Sequence, residues 1–132
     1  MLQYMLDTNI CIYVMKSYPP ELRERFNRLA EQLCISSITL AELHYGAEKS
    51  ARRLDNLEAI RHFTARLEVL PFGPDAAAHY GQIRASLEST GQLAGAYDMM
   101  IGGHARGAAL VLVTNNLREF ERMEGLRVEN WI

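Results

Sequence analysis

An uninterrupted apolar run at residues 109–113 constrains the fold more than any other feature of this sequence. The run is far shorter than the roughly 18 residues of a membrane-spanning helix, and Thr114, Asn115 and Asn116 end it abruptly. A strand with no polar side of its own is typical of a parallel sheet covered by helices on both faces. The run therefore predicts an α/β protein.

Further short apolar runs alternate with stretches of helical periodicity. Strands are predicted at residues 2–6, 33–35 and 69–70, with a last edge strand at residues 126–128. No two-residue hairpin signal separates any of these runs, so the strands should pair in parallel through helical crossovers. We predict a three-layer α/β/α sandwich around a mostly parallel sheet of four to five strands, formed by a single domain over residues 1–132.

Composition and charge narrow the functional classes. The 132 residues are 48% hydrophobic and 23% charged, which argues against a disordered chain or a coiled coil. No long apolar segment and no basic-flanked leader is present, so a cytoplasmic protein without membrane association is expected. Cys11 and Cys34 are too far apart in the sequence for a zinc knuckle or a redox pair, and both are predicted to be core residues.

One short stretch of the chain is basic although the net charge is −2. Lys49, Arg52 and Arg53 form a candidate surface for a polyanion. The alternative is a solvated helix face on which nearby acids such as Glu48 and Asp55 pair with these bases. The sequence leaves both interpretations open.

Acidic side chains occupy positions where a parallel sheet places its ligands. Such ligands collect beyond the carboxyl ends of the strands. Asp7 follows the first predicted strand, and Glu42 is placed in the first turn of the helix after the second. Asp98 heads the helix that leads into the fourth strand, and it reaches the same crevice only if that helix crosses the edge of the sheet.

Each acid also has a purely structural interpretation. Asp7 and Asp98 are suitable helix N-caps, and Glu42 follows Thr39 at the spacing of a capping box. Taken together, however, crowded carboxylates raise each other's pKa unless a cation holds them. Oxygen-only ligands favour Mg²⁺ or Mn²⁺, ions that serve phosphodiester hydrolysis.

Other chemistries lack their motifs. The sequence has no Walker loop, no dinucleotide-binding glycine pattern, no nucleophile elbow and no zincin motif. Two rival functions remain: a non-catalytic α/β interaction module whose acids are caps, and a metal-dependent nuclease that acts on DNA. A phosphoacceptor receiver domain fits less well, because the acidic pair and the late lysine of such domains are missing.

Four segments together resemble a known family. They are Leu6-Asp7-Thr8-Asn9, residues 36–43 (SSITLAEL), Tyr97-Asp98 with the following helix, and Val113-Thr114-Asn115-Asn116 with Phe120. In this order and spacing they resemble PIN-domain ribonucleases, and more narrowly the VapC toxins of bacterial type II toxin-antitoxin pairs. The resemblance extends over essentially the whole chain.

The resemblance implies a site and a cofactor. It implies an endoribonuclease dependent on Mg²⁺ or Mn²⁺, in which Asp7, Glu42 and Asp98 match the metal-site acids and Asp98 reaches the shared crevice. Many PIN domains carry a fourth acid where this chain has Asn116, and Glu119 is expected to supply the missing charge. Supporting roles are expected for a further set of polar residues, namely Thr8, Asn9, Thr114 and Asn116.

The resemblance also implies a substrate and partners. The expected substrate is tRNA, in particular the anticodon stem-loop of initiator tRNA, whose cleavage inhibits translation. The RNA backbone is then expected against Lys49, Arg52 and Arg53. The expected partners are a VapB-type antitoxin and a second copy of the chain, with promoter DNA bound only through the antitoxin in a larger toxin-antitoxin complex.

Overall fold

Five parallel strands form one sheet in the computed structural model, which describes residues 1–132. The order across the sheet is β3-β2-β1-β4-β5, and all four strand pairs are parallel. The strands are β1 Tyr4–Leu6, β2 Leu33–Ser36, β3 Glu68–Leu70, β4 Val111–Val113 and β5 Val128–Glu129. The predicted parallel α/β architecture is confirmed.

Seven α-helices connect and cover the strands. They are α1 Thr8–Met15, α2 Pro20–Leu29, α3 Ser37–Glu48, α4 Arg53–Thr64, α5 Pro74–Ser89, α6 Ala96–Gly107 and α7 Leu117–Phe120, with a 3₁₀ turn at Ala30–Gln32. Local sequence explains several starts: Asp7 and Ser36 cap α1 and α3 through their side chains, while Pro20 and Pro74 occupy the first turns of α2 and α5. None of the helices has the length and apolar character required to cross a membrane.

Successive residues of the strands enter two separate cores, one on each face of the sheet. In β1, Leu6 packs with α1 to α4, whereas its neighbour Met5 packs with α5 and α6. In β2, Leu33 and Ile35 enter the first core and Cys34 the second. Because both faces are covered, the strands carry almost no polar side chains, which is the pattern that the apolar runs predicted.

Some predicted boundaries are wrong by a few residues. The fourth strand begins at Val111 rather than at residue 109, because Ala109 has a positive φ of 58° and the Leu110 amide still donates to Ala105 in α6. The last strand lies at Val128–Glu129 rather than at residues 126–128, because the Leu126 amide closes a turn onto Met123.

Candidate active site

Asp7 follows β1 directly and is 3% exposed. Its Oδ1 accepts a 2.9 Å hydrogen bond from the Ile10 amide, so the predicted capping role is real. Burial raises the pKa of Asp7 although hydrogen bonds from the Thr114 hydroxyl and the Ile10 amide oppose the shift, and the charge of Glu42 raises it further. A carboxylate that serves only as a helix cap is more stable in its charged form when it is exposed to solvent. The burial of Asp7 is therefore not required by its capping role.

Glu42 lies in the second turn of α3, so its predicted place in the first turn is wrong. The helix begins at Ser37 with Ser36 as its cap, and this excludes a capping box between Thr39 and Glu42. Instead, Glu42 Oε1 accepts a 2.6 Å hydrogen bond from the Thr8 hydroxyl at the start of α1. Thr8 also approaches the buried Thr39 hydroxyl at 3.4 Å. Thr8 thus holds Glu42 toward the end of β1.

Asp98 lies in the first turn of α6 but does not cap it. The cap residue is Gly95, and no side chain makes a cap hydrogen bond there. Burial raises the pKa of Asp98 to about 7, with further contributions from its hydrogen-bonded neighbour Glu119 and from the charges of Glu42 and Asp7. The charges of Asp7 and Glu42 therefore act on Asp98 although it lies on a different helix, and a shared metal site for the three acids stays a prediction.

Glu119 is held by contacts on both carboxylate oxygens. Oε1 accepts from the Gly95 amide at 3.1 Å, and Oε2 accepts from Asn116 Nδ2 at 3.0 Å. Partial burial acts to raise the pKa of Glu119, but hydrogen bonds with Asp98, Gly95 and Asn116 hold it below its ordinary value. Asn116 therefore orients the Glu119 carboxylate.

Thr114 links two parts of the site. The side chain is fully buried, contacts the Asp7 carboxyl group, and accepts a 2.9 Å hydrogen bond from the Asn116 amide. Hydrogen bonding by Thr114 also acts to lower the pKa of Asp7, so the end of β4 influences the carboxyl group at the end of β1.

The donor set fits a hard divalent cation. All four acids offer oxygen ligands, and besides burial, which is the largest cause, the charges of Glu119, Glu42 and Asp7 raise the pKa of Asp98; a cation would offset those charges. In this structure no three His, Cys, Asp or Glu side chains converge closely enough to hold one ion together. The four carboxyl groups form an electrostatically coupled cluster rather than a completed coordination shell.

The structure does not connect every predicted residue to this cluster. Asn9 is exposed, and no hydrogen bond joins it to the acids. In the basic stretch, Arg52 pairs with Asp55 and Arg53 with Glu48, while Lys49 Nζ lies 4.7 Å from the centre of the Tyr45 ring. The solvated, acid-paired helix face is therefore what the structure shows there, and RNA contact by these three residues stays a prediction.

Sequence reasoning missed three contributors to the site. Thr39 lies three residues before Glu42, so the helical spacing was a usable signal for a shared face. Gly95 holds Glu119 through a backbone amide, and Arg122 lowers the pKa of Glu119 by its charge. Neither of these two contacts can be predicted from a single sequence.

Comparison with known proteins decides the family. A model of the PIN domain matches residues 4–126. The tRNA(fMet)-specific endonuclease VapC of Salmonella typhimurium is 56% identical over 131 residues, 99% of each chain, and ribonuclease VapC2 of Haemophilus influenzae is 54% identical over the full length of both. The chain belongs to the VapC family of PIN-domain ribonucleases.

Solved VapC-containing structures share the same fold. The VapC-family chain superposes on a chain of the DNA-bound VapBC complex of Salmonella typhimurium with a TM-score of 0.96, at 55% identity and complete coverage of both chains. Against VapBC2 of Rickettsia felis bound to a promoter DNA fragment, the TM-score is 0.93 at 39% identity, with coverage of 99% and 100%. The sequence-based assignment to PIN-domain ribonucleases of the VapC type is confirmed.

Proposed function

We propose that this chain is the toxin of a type II toxin-antitoxin pair and cleaves tRNA with the help of Mg²⁺ or Mn²⁺. The observation that carries the proposal is the cluster of Asp7, Glu42, Asp98 and Glu119 at the carboxyl edge of the sheet, where the charges of the acids act on each other. The VapC relatives of Salmonella typhimurium and Shigella flexneri are named for action on tRNA(fMet). Initiator tRNA is accordingly the substrate that we propose.

The residues divide into ligands and residues that orient them. Asp7, Asp98 and Glu42 would hold the cation, and Glu119 adds the negative charge that Asn116 does not carry. When bound, a divalent cation stabilises charge on the phosphoryl group and makes a water more acidic. Neighbouring groups orient these acids. Thr8 donates to Glu42, and Thr114 acts on Asp7. The Gly95 amide and the Asn116 side chain donate to Glu119.

The reaction is hydrolysis of a phosphodiester. The oxygen of a water attacks phosphorus, the bond between phosphorus and the 3′ oxygen breaks, and a proton from the water ends on that oxygen. The products are a 3′-hydroxyl and a 5′-phosphate. Because Asp7 is buried and its carboxylate accepts a hydrogen bond from the Ile10 amide, it would hold one fixed side of the site while the substrate approaches from solvent.

The proposed partners follow from the relatives as well as from the site. The Salmonella and Rickettsia structures are toxin-antitoxin complexes with DNA. We propose that a VapB-type antitoxin silences this chain, that promoter DNA is bound through that antitoxin, and that the toxin is a homodimer formed by one domain over residues 1–132. The activity is placed in the cytoplasm, where tRNA is found.

Cleavage of total tRNA by the antitoxin-free protein tests the proposed substrate. In Mg²⁺ we expect one dominant pair of fragments from initiator tRNA, cut in the anticodon stem-loop, with 5′-phosphate on the downstream fragment. Elongator methionine tRNA, which shares the anticodon, serves as the matched control and should stay intact. Equal cutting of both tRNAs would contradict initiator specificity while leaving the ribonuclease activity in place.

The same assay separates the rival functions. An interaction module would cleave nothing under any cation. A DNA nuclease would cut the DNA version of the anticodon stem-loop and leave the RNA version intact. Either result would refute the proposal, because each removes RNA hydrolysis as the activity of the acid cluster.

A further inference from the structure

An exposed aromatic ring and an exposed guanidinium group are sequence neighbours of two site acids, and a second exposed guanidinium group lies four residues further along the chain. Tyr97 directly precedes Asp98 in the first turn of α6, and it is 58% exposed. Arg118 directly precedes Glu119 in α7, and Arg122 follows four residues later; both arginines are exposed. None of the three supports the core.

Tyr97 has no partner of its own in the fold. Its ring stacks on no other aromatic side chain, and its hydroxyl makes no hydrogen bond. An exposed ring beside a nuclease site is suited to stacking on a base, because every base offers a π-face once it is unstacked. A base inside a duplex offers none, since its faces are covered by its neighbours.

Arg118 and Arg122 lack the acidic partners that Arg52 and Arg53 have. Arg52 and Arg53 pair with acids, whereas no acid lies within ion-pair distance of Arg118 or Arg122. Arg122 donates to the Gln92 carbonyl at 3.2 Å, three residues before the Gly95 amide that donates to Glu119, and its charge lowers the pKa of Glu119. Guanidinium groups free of carboxylates are available to phosphates.

We propose that Tyr97, Arg118 and Arg122 form a subsite for single-stranded RNA beside the scissile phosphodiester. Tyr97 stacks on one unpaired base, and the two arginines bind phosphates on either side of the cut. This inference rests on the proposed function and assigns to it the residues that distinguish a nucleotide in an unpaired loop from the same nucleotide in a duplex.

The test compares one RNA in two states. The substrate is an anticodon stem-loop in which the cut lies in the unpaired loop, and its counterpart is the same strand annealed to its full complement. For Tyr97→Ala we expect the preference for the unpaired RNA, measured as a ratio of kcat/KM values, to fall by about tenfold. Tyr97→Phe keeps the ring and should keep the preference. Tyr18→Ala, at the far end of α1 and similarly exposed at 69%, is the matched control.

The arginines are tested through the salt dependence of binding. In EDTA, which prevents metal-dependent cleavage, the affinity for the fluorescent stem-loop is measured at several salt concentrations. Arg118→Gln with Arg122→Gln should reduce the slope of log affinity against log salt by roughly 1 to 2, since each phosphate contact on a single strand contributes about 0.7. Arg28→Gln, at an exposed arginine in the last turn of α2, should leave the slope unchanged.

The outcomes separate this subsite from the proposed function. If wild type cleaves RNA and Tyr97→Ala shows the wild-type preference, the subsite is refuted and the function stands. If wild type cleaves no RNA, the proposed function is refuted, and the subsite is then judged by binding alone. Weaker binding of the unpaired loop by Tyr97→Ala than by wild type supports the subsite. Equal binding by both proteins, or no binding by wild type, overturns it.

Discussion

The Thr8 hydroxyl donates a 2.6 Å hydrogen bond to Glu42 Oε1 and so joins the first turn of α1 to the second turn of α3. The two residues are 34 positions apart, yet they flank the same end of the central strand β1. Through this contact a residue next to Asp7 sets the direction of a second acid. The geometry of the cluster thus depends on neighbours as well as on the acids themselves.

Thr8→Val removes the hydroxyl while keeping the shape of the side chain. A hydrogen bond to a charged group contributes about 1.5 to 3 kcal/mol, so cleavage should fall by about tenfold or more. Thr8→Ser retains the donor and should retain most of the activity. Steady-state cleavage of the stem-loop, together with the gain in Tm on adding Mg²⁺, measures both effects. Full activity in Thr8→Val would show that Glu42 needs no such support.

Asp98→Asn removes one of the mutually repelling charges. We expect the metal-free protein to gain about 1 kcal/mol, or roughly 3 °C in Tm, after allowance for solvent screening of a half-buried group. Added Mg²⁺ should stabilise wild type but not the variant. Asp75→Asn, which removes an exposed first-turn acid from α5, is the matched control and should not gain stability. Scanning calorimetry with and without Mg²⁺ is the measurement, and a loss of metal-free stability in Asp98→Asn would contradict the crowding argument.

His104 predicts a pH dependence of stability. Its Nδ1 lies 2.8 Å from the Ser36 hydroxyl, and its ring edge packs on Phe72. Burial lowers the pKa of His104 from its ordinary value of 6.5, so folding favours the neutral ring. The corresponding stability is present above pH 6.5 and is lost as the pH falls through the lower folded-state pKa. His104→Asn should flatten this acid-side slope in urea unfolding; an unchanged slope would assign the pH dependence to other groups.

Gly103 allows α5 and α6 to approach closely. A Cβ added there would lie 2.7 Å from the Tyr80 amide nitrogen and 2.9 Å from its Cα, both backbone atoms that cannot move aside. Gly103→Ala should therefore cost about 1 to 3 kcal/mol. Gly46→Ala, in the interior of α3 with no atom within 4 Å of the new Cβ, should instead gain up to about 1 kcal/mol from helix propensity. Urea denaturation of both variants checks the opposite signs.

The sequence predicted the sheet well because its strands are buried on both faces. A run such as the one before Thr114 is hydrophobic at every position, and it leaves few alternatives to a covered parallel strand. The ends of elements were less predictable. Ala109 continues the apolar pattern but adopts a positive φ, a local conformation that hydrophobicity does not encode.

The acids of the site were predictable, and their supporting contacts were not. Asp7 directly follows a strand, at the edge where ligands collect, so position alone singled it out, whereas Asp98 heads a helix that leads into a strand. Whether the helix of Asp98 crosses the edge of the sheet depends on packing between α5 and α6, and only the resemblance suggested the answer. For the basic stretch around Arg52 and Arg53, composition was misleading. It suggested a surface for a polyanion, whereas in the structure both arginines pair with nearby acids.

The most direct test of the central claim pairs metal binding with RNA cleavage in the same preparations. Wild type, Asp7→Asn, Asp98→Asn and the control Asp75→Asn are each titrated with Mn²⁺ by calorimetry and assayed on initiator tRNA in Mg²⁺, in Mn²⁺ and in EDTA. The account predicts that wild type and Asp75→Asn bind the ion and cleave only when it is present, while the two site variants lose both properties. Cleavage that persists in EDTA, or in both site variants, would contradict it.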